Sequence, residues 1–116
     1  MTQITLYHNP RCSKSRQALA LLQEQGLEPT LRLYLDEAPS ISELERLLTL
    51  LNTSPREIIR GNDALYQELG LDQPLSDAEL LRQLAAHPSL LQRPIAVSGQ
   101  RAVIARPPEL VLEILS

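Results

Sequence analysis

Apolar and polar positions alternate along Ile4-Thr5-Leu6-Tyr7, the mark of a short half-buried strand, and Pro10 then breaks the extended run. From Lys14 to Gln25 the period lengthens to that of a helix. Ala18, Leu19, Leu21 and Leu22 share one face, and Gly26 supplies a C-terminal stop. Thr30 to Leu35 alternates again. Strand, helix and strand in this order predict a right-handed crossover between parallel strands.

The middle of the chain is helical in pattern. Ser40-x-x-Glu43 reads as a capping box, with Leu44, Leu47, Leu48 and Leu51 as the buried stripe behind it. Ser54-Pro55-Arg56-Glu57 predicts a second, short helix reaching Arg60, with proline at its first position, before Gly61-Asn62 interrupts. Ala64 to Leu69 forms another short piece ended by Gly70. Ser76-x-x-Glu79 caps a further helix that turns Leu80, Leu81, Leu84 and Ala85 inward and ends near His87-Pro88. The pattern then returns to strands: Ile95-Ala96-Val97 and Ala102-Val103-Ile104-Ala105 flank Ser98-Gly99-Gln100-Arg101, a tight antiparallel hairpin. Pro107-Pro108 opens a last helix with Leu110, Val111, Ile114 and Leu115 on one side.

No repeat, low-complexity tract or linker divides the 116 residues, which predicts one domain. The element order fits an α/β fold: a mixed four-stranded sheet of thioredoxin-like outline, with a helical insertion between strands 2 and 3. Arg93-Pro94, at the start of the third strand, is where thioredoxin-like proteins carry a cis proline.

Composition narrows the function. Three tyrosines with no Trp or Phe leave little for nucleobases to stack upon, and a net charge of −3 lacks the basic footprint of a nucleic-acid binder. No apolar run approaches the ~18 residues of a membrane span. One cysteine offers no internal disulfide framework. These features predict a soluble cytoplasmic protein with no nucleic-acid or membrane partner.

Cys12 stands where the first strand gives way to the first helix, within Tyr7-His8-Asn9-Pro10-Arg11-Cys12-Ser13-Lys14-Ser15-Arg16. Lys14 is the only lysine of the chain. A thiol is nucleophilic only as thiolate, and cysteines at helix N-termini beside cations titrate at about 3.5–7.5 rather than about 8.5. The amides of Ser13, Lys14, Ser15 and Arg16 add donors able to hold an anion against the sulfur. The alternative is a buried structural cysteine; the clustered cations favour the nucleophile. Ser15 occupies the second position of a C-x-x-C pair, so an oxidised Cys12 must be resolved by a thiol from elsewhere. His8 is either a charge partner of the thiolate or a loop residue. His87 reads as a surface or dipole-complementing residue, and with no second candidate near it a metal site is not expected. Arg60, Arg93 and Arg106 fall outside regular helix faces; each taken singly reads as a solvated or salt-bridged surface residue, while Arg93 and Arg106, at strand ends, can converge planar guanidinium forks suited to a tetrahedral oxyanion. Arg32, Arg46, Arg56, Arg82 and Arg101 read as surface residues.

Tyr7-His8-Asn9-Pro10-x-Cys12-x-x-Ser15-Arg16, Arg93-Pro94-Ile95 and Arg106-Pro107, in this order and spacing, resemble the glutaredoxin-coupled arsenate reductase family, a thioredoxin-like branch that includes the Spx-type regulators. The resemblance runs from Ile4 to Ile114. Ser13-Lys14 replaces the Gly-Thr common in resistance-type members, and the chain stops at Ser116 without their C-terminal tail; both place it with a shorter subgroup. The resemblance implies that Cys12 attacks arsenate and that Arg60, Arg93 and Arg106 bind the oxyanion. It assigns His8 to lowering the cysteine pKa, and Ser15 and Arg16 to supporting the helix start. Glutathione is then the co-substrate and glutaredoxin the protein partner, with no bound cofactor. The alternatives are a glutathione-linked thiol transferase acting on another substrate and a polymerase-binding regulator. The second is disfavoured because a monothiol cannot form the internal disulfide of a C-x-x-C switch.

Overall fold

The structure is a computed structural model that describes residues 3–60, 64–92 and 94–115. Among these residues the chain divides into two compact units, 1–36 with 93–116, and 37–92.

The first unit is built on a sheet of β1 (Ile4–Tyr7), β2 (Thr30–Arg32), β3 (Ile95–Ser98) and β4 (Arg101–Ile104), in the spatial order β2-β1-β3-β4. Leu6 pairs with Leu31 in parallel register and with Ala96 in antiparallel register, while β3 and β4 form the hairpin, Ile95 opposite Ile104. This is the mixed thioredoxin-like sheet implied by the element order, with the helical segment inserted between β2 and β3. Gly99 at the hairpin turn has φ +63°, a value L side chains rarely adopt and the twist of a two-residue hairpin requires.

Helix α1 (Ser13–Glu24) buries Ala18 and Leu22 completely, as its periodicity predicts. Its end is a Schellman motif. Gly26, at φ +76°, donates to the Gln23 carbonyl (2.9 Å) and Leu27 reaches back to Leu22 (3.1 Å). Ala18 and Leu22 join Ile4, Leu6, Ala96, Ala105, Val111 and Ile114 in one apolar core. Burying a Leu, Ile or Val there contributes roughly 1.5–3 kcal/mol each.

Two expectations for this unit change. β2 was predicted to reach Leu35 but ends at Arg32, because its partner β1 ends at Tyr7. The last bond of the pair is His8 N–H to the Arg32 carbonyl (3.0 Å), and Tyr34 N–H then turns back onto the same carbonyl (3.0 Å). The final segment, Pro108–Leu115, is a 3₁₀ helix. With three residues per turn, Pro108, Val111 and Ile114 eclipse along one edge, and all three are buried.

The second unit holds α2 (Ile41–Leu51), α3 (Ala64–Glu68) and α4 (Asp77–Ala86). The predicted N-caps are present: Ser40 Oγ accepts from Glu43 N–H (3.1 Å), and Ser76 Oγ from Glu79 N–H (3.2 Å). Leu44, Leu47, Leu80, Leu81 and Leu84 are buried. Asn52, in the left-handed region at φ +55°, ends α2, and Gly70 at φ +69° follows α3. The helix expected from Pro55 to Arg60 is a single 3₁₀ turn, Pro55–Ile58, and Ser54 makes no side-chain cap. Ile59 instead pairs antiparallel with Leu91, flanked by Arg60 N–H to the Leu90 carbonyl (2.8 Å) and Gln92 N–H to the Ile58 carbonyl (2.7 Å). Ile58 and Ile59 are both buried, and the pairing with Leu91 holds Ile59 in extended backbone (φ −105°, ψ 136°). The predicted interruption at Gly61-Asn62 lies outside the described residues.

Candidate active site

The loop between β1 and α1 is held by its own polar groups. Asn9 starts it twice over: its carbonyl accepts from Cys12 N–H (2.9 Å), closing a turn with Pro10 at the second position. Its side-chain Oδ1 accepts from Arg11 N–H (3.0 Å). Sequence reasoning did not single out Asn9, although an Asn-Pro pair is a turn signal that marks it.

This turn delivers Cys12 to the N-cap of α1, in extended conformation (φ −92°, ψ 122°). Its carbonyl accepts the first helical bond, from Arg16 N–H at 3.0 Å, while its side chain makes no capping bond. The sulfur is half-buried and not in a disulfide. Three amides, those of Ser13, Lys14 and Ser15, are thus left without an intrahelical acceptor in the first turn. The fourth amide expected to face an anion, that of Arg16, is taken by the Cys12 carbonyl.

Below the loop lies a buried polar cluster. Ser15 is fully buried, and its Oγ is 2.7 Å from His8 Nδ1 and accepts from Asn9 N–H at 3.1 Å. Burial, and secondarily the Arg16 guanidinium, push the His8 imidazole below its ordinary pKa of 6.5. Both causes favour the neutral imidazole, and His8 is held in the loop by its hydrogen bond with Ser15. The full positive charges of this loop are Arg11, Lys14 and Arg16, all exposed. Arg16 also ties the helix back to the loop, Nη1 donating to the Pro10 carbonyl at 2.9 Å.

The three arginines expected to bind an oxyanion are placed differently. Sheet register puts the C-terminal end of β1, the start of β3 and the end of β4 at one end of the sheet, since Tyr7 faces Ile95 and Ile95 faces Ile104. Ala105 N–H bonds the Pro94 carbonyl there (2.8 Å), and Arg106 follows, so Arg106 and the Cys12 loop share that end. The Arg106–Pro107 bond is cis. Arg93, and with it the Arg93–Pro94 bond, lies outside the described residues. Arg60 belongs to the helical unit, half-buried, its backbone fixed to Leu90. Arg56 departs from its reading as a surface residue, since it is half-buried and makes three hydrogen bonds.

Residues 7–114 match the model of the ArsC family. The chain belongs to the ArsC family. Among its relatives, an arsenate reductase of Haemophilus influenzae is 46% identical over 97% of this chain and 98% of its own length. The Escherichia coli protein YfgD, described as uncharacterized, is 47% identical over 97% of each chain. The solved structure of an arsenate reductase from Vibrio cholerae has 46% identity and a TM-score of 0.93, covering 97% of this chain and 98% of its own. The ArsC assignment covers both units, so the helical insertion belongs to the family fold. Among the described residues of this ArsC-family chain no helix is long and apolar enough to cross a membrane, and no group of three His, Cys, Asp or Glu side chains could hold a metal ion.

Proposed function

We propose that the protein is a cytoplasmic arsenate reductase that draws its electrons from glutathione and glutaredoxin. The observation that carries this reading is Cys12 on the N-cap of α1, its sulfur uncommitted to capping above three first-turn amides. The arsenate reductases among its ArsC-family relatives add independent support.

Thiolate and arsenate are both anions and repel each other. Arg60, Arg93 and Arg106 are assigned to bind the oxyanion, and helix amides to orient it. The Cys12 thiolate attacks arsenic, a protonated oxygen leaves as water, and an S–As bond forms. Glutathione displaces a second oxygen from the adduct. A glutaredoxin thiol then attacks the glutathione sulfur, the electron pair of the glutathione S–As bond passes to arsenic, and one water cleaves the remaining Cys12 S–As bond, releasing arsenite and restoring the thiol. In sum two thiols become a disulfide, arsenic gains two electrons, and arsenate leaves as arsenite with one net water. His8 and Ser15 hold the loop in this scheme, and Arg16 closes it over Pro10.

The test is arsenite production by the purified protein with glutathione, glutaredoxin and a recycling system. Arsenite is expected only when both thiol partners are present, and not with Cys12→Ser. Arsenite no higher than that of the mutant would remove arsenate as the substrate.

A further inference from the structure

We propose that Arg56 is a positioning residue for Arg60; the inference rests on the oxyanion role given to Arg60 above. Arg56 lies on the Pro55–Ile58 turn, and its guanidinium spans two segments of chain. Nη1 donates to Tyr66 Oη (2.6 Å) and to the Leu71 carbonyl (2.7 Å), and Nη2 to the Gln73 carbonyl (3.0 Å). Tyr66 is on α3; Leu71, fully buried, and Gln73 lie beyond its end. Only a planar fork reaches such a set at once; an ammonium is a point donor on a flexible stem.

Arg60 follows directly on the turn that this fork holds. On one side the Ile59–Leu91 bridge holds the backbone, with Arg60 N–H on the Leu90 carbonyl. On the other, Arg56 ties the Pro55–Ile58 turn to Tyr66, Leu71 and Gln73. With both held, residues 56–60 have few conformations to lose when Arg60 engages an anion, and ordering cost is subtracted directly from affinity. Releasing the fork restores that freedom while leaving the Arg60 guanidinium intact. The three partners of Arg56 are an uncharged phenol and two carbonyls, so its fork acts here by geometry rather than by pairing with a carboxylate.

The test is a double-mutant cycle on affinity for inorganic phosphate, a non-reducible tetrahedral anion, measured by calorimetry on the full chain. Arg56→Ala is expected to weaken binding about fivefold in the wild-type background and to add nothing in Arg60→Ala, because coupled positions are non-additive. Arg56→Lys should behave like Arg56→Ala. Tyr66→Phe, which keeps two of the three bonds and the fold, should weaken binding by about twofold. In turnover the loss should appear in the KM for arsenate, with kcat little changed. Equal weakening by Arg56→Ala in both backgrounds, full retention of affinity by Arg56→Lys, or wild-type affinity in Tyr66→Phe would overturn the proposal and leave the role of Arg60 standing. Wild-type affinity in Arg60→Ala, or no phosphate binding by the wild type, would instead remove the oxyanion role, and the proposal with it.

Discussion

The two units of this protein meet different demands with different residues. Residues 1–36 and 93–116 carry seven Lys and Arg against five Asp and Glu; residues 37–92 carry four against nine. In the sheet unit, four polar side chains are committed to one loop: Asn9, Ser15, His8 and Arg16 all bond within the stretch that presents Cys12. In the helical unit the comparable bonds are caps and chain reversals at Ser40 and Ser76, with Arg56 as a cross-brace. The cationic unit holds Cys12, and the acidic unit is organised chiefly by helix ends and leucines.

The sharpest way to break this contrast is at Cys12. Cys12→Ser should lower turnover by roughly 10³-fold or more while shifting the unfolding midpoint little, since its side chain makes no cap. A large loss of stability would return Cys12 to a structural role. Leu22→Ala and Leu84→Ala, both in fully packed surroundings, should each cost about 2–5 kcal/mol in denaturant unfolding. Equal costs in the two units would show that packing, unlike charge, is shared evenly between them.

Ser15→Ala removes a hydroxyl that serves both Asn9 and His8. It should cost about 1–3 kcal/mol, because buried polar groups lose their partner, and it should slow alkylation of Cys12. Ser40→Ala and Ser76→Ala should each cost about 1 kcal/mol and leave alkylation unchanged. If the caps altered Cys12 reactivity as Ser15 does, the division of labour would fail.

The smallest effect is a pH dependence. Folding lowers the His8 pKa below 6.5, so the unfolded chain binds that proton more tightly. The stabilisation tied to neutral His8 is complete above about pH 6.5 and is lost as pH falls through the lowered folded value. His8→Asn should flatten the stability profile below that pH, measured by denaturant unfolding at a series of pH values. Identical slopes for the two proteins would contradict the burial argument.

Much of the molecule was legible in the residue pattern because the signals were local. Strand alternation at Ile4–Tyr7, the α1 face with its Gly26 stop, both serine caps and the Ser98–Arg101 hairpin depend on neighbours within a few positions. Cys12 was found the same way, from the cations and helix start next to it in sequence. Where the reading slipped, a distant partner made the decision: Ile59 was drawn out of a helix by Leu91, and β2 was cut short by the end of β1.

The residue order by itself therefore determined which elements form and where most begin and end, and it set Cys12 at a helix start, since propensity, capping and turn chemistry act over one or two turns of chain. Tertiary structure decided what those side chains became. Ser15 and His8 are seven positions apart, and only the return of α1 beneath the loop buries them together and lowers the imidazole pKa. Arg56 looked like any solvated arginine until α3 brought Tyr66 within reach of its fork. Hydrogen bonds and desolvation depend on distance in space, and that distance does not exist until the chain has folded.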